Sequence, residues 1–393
     1  MSANTCPPCR VAVTGVGVVS PLGMGAGETV AALQAGTDAV RGIEAWDVSR
    51  CRSKTAGQVS RPGGPDHLHP ASRMMIAATR EALAGAEGFA PELMVIGTTS
   101  GGMTNGEAFY RAQSGDGRPH ERARWLANYL PQKAILDAQR ACGFSAPMLI
   151  VANACASGTN AIGHAWGLIR SGQHRQVLCG GYDALSELVF VGFDSLQAST
   201  AEQIRPFDRG RTGLVLGEGA GILALEEWEG ARARGSCILA EVSGYGISTD
   251  NHHLTQPHPS GIGPRQAMER ALTAARRRPE EIGYVNAHGT ATIFNDATEG
   301  LAIEQLLGSQ VPVSSTKGMM GHALGAAGAI EAVFTVLAIR HRFLPPNIHF
   351  EECDPAWRLE IVANEARPAS VRCALSNSFG FGGTNAAIVL EAA

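Results

Sequence analysis

Charge and aromatic side chains are both scarce in this sequence. Asp, Glu, Lys and Arg make up 17 % of it and aromatics 6 %, against 45 % hydrophobic residues. A chain with so much apolar surface and so little charge folds, which excludes a disordered tether. A basic excess is missing as well: 32 Lys and Arg face 36 Asp and Glu, for a net charge of −4. Neither nucleic acid nor an anionic membrane is therefore an expected partner. No apolar run reads as the ~18 residues a transmembrane helix needs. The N-terminus lacks a charged stretch followed by an apolar core, so no signal peptide is expected. Nine cysteines, an odd number scattered over 393 residues, do not make a disulfide framework. They fit free thiols in a reducing, cytoplasmic setting. Cys6 and Cys9 have CxxC spacing, but no second ligand pair accompanies them, so no metal site is expected.

What the chain does have is glycine, at 48 residues, and length enough for two fused core halves. Short apolar, β-branched runs alternate with helical ones. Strands are predicted at 10–19, 94–97, 147–152, 177–181, 214–226, 238–246, 282–287, 311–315, 373–377 and 386–390. Helices are predicted at 25–36, 71–87, 156–171, 227–234, 264–277, 296–307 and about 323–340. This alternation is that of a layered α/β fold. Gly15 and Gly17 sit where a dinucleotide loop could begin, but Pro21 and the absence of a third glycine in register exclude it. Residues 103–141, with Arg111, Arg118, Arg122 and Arg124, read as an excursion over the surface. Strand, small turn and glycine- and alanine-rich helix occur at 147–170 and again at 311–340. That hints at two similar halves whose turns face one site.

Four segments carry chemistry. In Asn153-Ala-Cys-Ala-Ser-Gly158, Cys155 stands on a turn from strand to helix. Small neighbours suit a sharp elbow, and a helix N-terminus favours a thiolate. The alternative is a buried structural cysteine. In Asn286-Ala-His-Gly-Thr-Ala-Thr292, His288 ends a strand, and Thr290 and Thr292 offer hydroxyls. In Ser314 to Glu331, Lys317 and His322 precede a Gly/Ala helix that must pack very closely. A buried Lys317 needs a counter-charge, and Glu331 is the nearest acid in the segment. In Ser376-Asn-Ser-Phe-Gly-Phe-Gly-Gly-Thr-Asn385, glycines and two phenylalanines predict a mobile loop with bulky gates. Its backbone N–H groups could join that of Cys155 around an oxyanion.

In this order, these segments resemble the decarboxylating β-ketoacyl-(acyl carrier protein) synthases of the thiolase superfamily. The resemblance runs from about residue 10 to 391. It implies a five-layered αβαβα fold from two duplicated halves, taken here as 1–243 and 244–393. It implies Cys155 as nucleophile, His288 and His322 as the decarboxylation pair, and Lys317 with Glu331 as their support. Phe381 becomes the gate, sharing the oxyanion hole with Cys155. Thr290 and Thr292 match the threonines that bind the phosphopantetheine arm, and Phe193, Phe379 and Ser100 are further substrate-binding positions. No bound cofactor is implied, since substrates ride on the phosphopantetheine of an acyl carrier protein. Arg205 matches a carrier-contact position, and Arg73, Arg80, Arg118, Arg122, Arg124 and Arg209 are further candidates.

The implied reaction is ping-pong condensation of a malonyl unit with an acyl group on Cys155. A thiolase would instead need a second cysteine as base, and Cys373 is the nearest candidate. Some positions depart from the elongation pattern. Thr212 and Leu214 stand where the family usually has Asp and Phe, Ile293 replaces a proline, and Ser100 replaces a larger apolar residue. A polyketide or polyene pathway is as open as fatty-acid elongation. So is a homodimer against a heterodimer with a homologous chain-length subunit.

Overall fold

The computed structural model describes residues 9–60, 68–113 and 126–393. Cys6, Arg118, Arg122 and Arg124 lie outside the described residues. Eleven strands form one path across the molecule: β1 (Val11–Ser20), β2 (Leu93–Gly97), β3 (Met148–Val151), β4 (Gln176–Asp183), β5 (Gly219–Glu227), β6 (Ala240–Thr249), β7 (Tyr284–Asn286), β8 (Pro312–Ser314), β9 (Glu360–Ile361), β10 (Cys373–Gly380) and β11 (Thr384–Ala392). Their order is β9-β8-β7-β10-β11-β6-β1-β5-β4-β2-β3.

That order is a repeat. Number the strands of the first half 1 to 5 (β1 to β5), and those of the second β6, β7, β8, β10 and β11. Each half then reads 3-2-4-5-1. Strand 2 is parallel to strands 3 and 4 in both halves. Strand 5 is antiparallel to strands 4 and 1 in both. The halves join where β1 pairs with β6, from Val11–Val242 to Val13–Ala240. Residues 243 and 244 both lie within β6.

Helices fill three layers. α1 (Pro70–Gly85) and α2 (Gln132–Cys142) cover the outer face of the first half. α4 (Ile262–Ala275) and α5 (Ile293–Leu307) cover that of the second. Between the sheet halves lie α3 (Ser157–Arg170) and α6 (Ala327–His341), each touching strands of both. The alternation of side chains along a strand divides the apolar core accordingly. On β5, Ile222 and Ala224 join the outer cluster with Met74 and Ile135, while Leu223 and Leu225 join Ile330 and Phe334 in the central one. On β11, Ile388 and Leu390 point to the centre, and Ala387 and Val389 to the outer layer with Met268.

The central layer explains several sequence features. A strand buried on both faces needs no polar alternation, and β1 is buried at every position. Its Gly17 lies so close to α1 that a Cβ there would fall 1.9 Å from the Ala78 carbonyl oxygen. Close packing, not a nucleotide, accounts for that glycine. α6 also corrects an expectation. Leu324–His341 is 18 residues of mean hydropathy 1.3, long and apolar enough to cross a membrane, yet it is 89 % buried inside the fold. It is a core helix.

A second correction concerns 103–141. The segment is no surface excursion throughout: α2 buries Ala134, Ile135 and Ala138 against α1 and the sheet. Its amphipathic spacing was masked by the polar stretch before it.

Candidate active site

Cys155, His288, His322 and Phe381 each stand on a turn beyond the C-terminal end of a strand. β3 ends at Val151, and the elbow 153–156 leads into α3. Ala154 has φ +57°, an uncommon value for a residue with a side chain. Its carbonyl oxygen is held by Ser157 Oγ at 2.6 Å, Ser157 N at 3.1 Å and Thr99 Oγ1 at 3.1 Å. This turn sets Cys155 just ahead of α3, whose N-cap is Ala156.

Two residues beyond β7 stands His288. Its backbone N–H and that of Gly289 each donate to the Glu299 carboxylate at 2.8 Å. Asn377 Nδ2 on β10 donates to the same carboxylate at 3.1 Å. Asp296, one helical turn earlier on α5, accepts from the backbones of Phe207 and Ala291. Beyond β8, the short helix Lys317–Met320 ends at Gly321, and His322 follows. Lys317 Nζ donates to Glu331 on α6, and both side chains are buried.

The segment 376–385 differs from expectation. It is no free loop: β10 and β11 pair up to Gly380–Thr384, and residues 381–383 form the turn. That turn presses on the elbow, where a Cβ on Gly380 would lie 3.1 Å from Cys155 N. The backbone N–H groups of Phe381 and of Cys155 itself both reach the Cys155 sulfur. Two donors thus already converge where an oxyanion on an acylated sulfur would develop.

The three turns open on one cavity of about 170 Å³. Cys155, His288, His322, Thr290, Thr292, Phe193, Phe379 and Phe381 line it. The imidazoles of His288 and His322 are 5.1 Å apart, centroid to centroid, at 85°. Phe379 lies edge-on to His288 at 5.8 Å, and Phe193 stacks on Phe381 at 5.4 Å. Thr290 Oγ1 and Thr292 Oγ1 share a hydrogen bond of 2.9 Å at the cavity wall. Thr212, Leu214 and Ile293, three of the four departures from the family pattern, line this same cavity. A larger cavity, about 700 Å³, opens at the other end of β1 beside Arg10, Arg170 and Arg277. No histidine is among the residues that line it.

Burial governs the electrostatics. Desolvation first, then the Lys317 charge, hold both His288 and His322 well below the usual imidazole range. Both rings are neutral at pH 7. No hydrogen-bond partner meets either ring nitrogen of His322, or Nδ1 of His288, among the described residues. Cys155 corrects the expectation of a thiolate: burial pushes its thiol up to about 12, against the opposing pull of Lys317 and the two N–H groups. At rest it is a thiol. Burial likewise raises the Glu331 carboxyl, and the Lys317 ammonium against it opposes that.

Other candidates lie elsewhere. Ser100 does not reach the cavity. It is buried, with its hydroxyl 2.9 Å from Asp183 Oδ1 and 3.2 Å from the Ala184 carbonyl oxygen. Arg205 pairs with Glu351 at 2.6 Å and Arg209 with Glu352 at 3.0 Å, so neither guanidinium is free. Arg73 lines a separate cavity with Trp46 and Glu187. Cys373 opens β10 opposite Glu391, at the far end of that strand from Phe381. Sequence reasoning missed Glu299, Asp296 and Asn377, which hold the His288 turn. Asp296 and Glu299, four and seven positions after Thr292, were the available signal.

Comparison with known proteins agrees with this arrangement. Residues 9–231 match the β-ketoacyl synthase N-terminal domain, and residues 239–351 the β-ketoacyl synthase C-terminal domain. The chain is 36 % identical to 3-oxoacyl-[acyl-carrier-protein] synthase 2 of Staphylococcus aureus, over 97 % of this chain and 98 % of that one. Among solved structures, it resembles the ishigamide ketosynthase/chain length factor, with a TM-score of 0.92 and 35 % identity over 98 % of this chain and all of that one. It also resembles a type II PKS acyl-carrier protein complex with its ketosynthase bound to the hexaketide, with a TM-score of 0.91 and 30 % identity over 98 % and 100 % of the two chains. The chain belongs to the β-ketoacyl synthase family and has the thiolase-like fold.

Proposed function

We propose that this β-ketoacyl synthase is an acyltransferase that extends an acyl chain held on Cys155 by one malonyl-derived unit, with both substrates delivered by an acyl carrier protein. The observation that carries the reading is one cavity holding a buried thiol, two neutral imidazoles and two backbone N–H groups on the sulfur.

Cys155 attacks the acyl thioester. Its thiol is poorly acidic, so the proton leaves as the carbon–sulfur bond forms, to a neutral imidazole or to the departing carrier thiolate. The developing oxyanion rests on the N–H groups of Cys155 and Phe381. The carrier thiol leaves and the acyl group stays. A malonyl thioester then places its carbonyl oxygen between His288 and His322. Two neutral rings donate N–H to that oxygen without taking it as a base. The bond to the carboxylate breaks, carbon dioxide departs, and the electron pair becomes an enolate. Its carbon attacks acyl-Cys155, the same N–H pair holds the tetrahedral oxygen, and collapse releases the sulfur.

Lys317 and Glu331 keep the field around the imidazoles fixed, and Phe193 against Phe381 closes the acyl side. Thr290 and Thr292 take the phosphopantetheine arm. The strand repeat supports a division between halves at 234–239. The eight described cysteines are all free, in keeping with work in the cytoplasm. The exposed edge strand β3 is the natural seat of a second subunit, a copy of this chain or a homologous chain-length subunit. The likeness to a ketosynthase/chain length factor favours the second as the alternative assembly.

The test is reconstitution. The protein receives acyl carrier and malonyl carrier thioesters, alone and with a homologous subunit. A β-ketoacyl carrier product, with one carbon dioxide released per condensation, is the expected result. Hydrolysed acyl chains without any condensation product, in every combination, would overturn the reading.

A further inference from the structure

Asp183 closes β4 and is fully buried, yet no part of the chemistry uses it. Six N–H and O–H groups converge on its carboxylate. Oδ1 meets Thr98 Oγ1 at 2.7 Å, Ser100 N at 2.8 Å, Ser100 Oγ at 2.9 Å and Gly101 N at 3.0 Å. Oδ2 meets Thr99 N at 2.9 Å and Gly325 N at 2.7 Å. Every contact is a donor, which favours the carboxylate against the burial that pushes its pKa up.

Only Oδ2 reaches the second half of the molecule, at Gly325, and it shares the Thr99 N–H with Oδ1, which that N–H meets at 3.1 Å. Oδ1 gathers the 98–101 turn, which follows β2. Thr99 in that turn reaches on to the Ala154 carbonyl at 3.1 Å, beside Cys155. Oδ2 alone holds Gly325, three residues after His322, where Leu324 has φ +51°. The His322 ring has no hydrogen-bond partner of its own among the described residues. Its place is set by its backbone: N to Val215 O at 2.7 Å, and the turn that Gly325 pins. No side chain fits at Gly325, because a Cβ would lie 2.7 Å from Thr99 N.

We propose that Asp183 is a positioning residue that fixes the nucleophile elbow and the His322 turn relative to each other, its carboxylate spanning both turns and only Oδ2 reaching the His322 turn. The proposal rests on the reading that Cys155 acylates and His322 assists decarboxylation.

The split between the oxygens gives a test that general destabilisation does not reproduce. In Asp183→Asn, the amide oxygen takes the Oδ1 position, where most donors lie. The amide N–H₂ then faces Gly325 N–H, donor against donor, and frees that turn, whereas Thr99 N–H loses Oδ2 but keeps the acceptor at the Oδ1 position, 3.1 Å away. Thr99→Val removes the link to Ala154 and keeps the carboxylate. Acylation is measured by intact mass after a pulse of acyl carrier thioester. Decarboxylation is measured as carbon dioxide released from malonyl carrier. Both are normalised to thiols titrated by iodoacetamide. Asp183→Asn slows decarboxylation on the order of 100-fold, as an ångström-scale misplacement does, and acylation far less. Thr99→Val slows acylation roughly 3- to 10-fold, the loss of one hydrogen bond, and leaves decarboxylation at the parent rate.

Equal slowing of both steps in Asp183→Asn, or parent rates in both variants, overturns the proposal. Should Asp183→Asn not fold, Thr99→Val decides alone, and unchanged acylation overturns it. A parent protein that performs neither step sinks the functional reading instead.

Discussion

The turns that follow the third strand of each half occupy the same place in the repeat and are built differently. In the first half, β3 ends at Val151 and α3 starts at Ser157. In the second, β8 ends at Ser314, and α6 starts only at Ala327. The short turn has no room for a second functional group. It fixes one thiol by backbone geometry, with Ala154 at positive φ. The long turn carries a helical turn with Lys317, then His322, then a 3₁₀ turn. Duplication supplies two facing positions, and loop length decides what each can hold. The turns after the second strands show the same contrast. Glu299 reaches the His288 turn from helix α5, whereas Asp183 reaches the 98–101 turn from the end of β4.

The comparison can be broken at several points. The largest expected effect belongs to the long turn. His322→Ala removes one of two donors to the enolate oxygen and should lower decarboxylation about 10²- to 10³-fold, the usual cost of one such donor. Acylation of Cys155 should be nearly untouched. Loss of acylation to the same extent would mean that the two turns do not divide the chemistry.

Next comes stability. Glu331→Ala leaves Lys317 buried and unpaired, which should cost about 3–5 kcal/mol in denaturant unfolding. A cost below about 1 kcal/mol would show that water or another group already shares the Lys317 charge.

The smallest effect is a pH slope. His288 and His322 sit well below the imidazole range when folded, whereas the unfolded chain protonates near pH 6.5. The unfolded state therefore binds protons that the folded state refuses. Stability is full above pH 6.5 and is lost as pH falls, by up to about 1.4 kcal/mol per unit for each ring. Glu299, raised to about 6 by burial, acts in the opposite sense, but equally in parent and variant. His322→Gln should therefore reduce the stability lost between pH 6.5 and 5.5 by about 1 kcal/mol. An unchanged slope would mean that this ring is not buried neutral.

Much of this was legible in the sequence, and the reasons are local. Buried strands such as β1 are β-branched runs, and turns after strands are marked by glycine. Cys155, His288 and His322 each carry their context within a few residues. What escaped depends on distant contacts. Asp183 sits in Gly-Gly-Tyr-Asp with no local signal, and its donors come from residues 98–101 and 325. The thiol of Cys155 looked activated from its own helix, but the other half of the molecule buries it. Ser100 looked like a substrate-binding position in a glycine-rich turn, and Asp183 claims its hydroxyl. Arg205 looked like free positive charge until Glu351 met it across 146 positions of chain.

Everything rests on the short turn delivering a nucleophile. The most direct measurement is intact mass of the parent and of Cys155→Ala after incubation with an acyl carrier thioester. The account predicts one acyl group added to the parent and none to the variant, with the variant folded and unfolding at the parent's temperature within a few degrees. An acyl group retained on folded Cys155→Ala would contradict it.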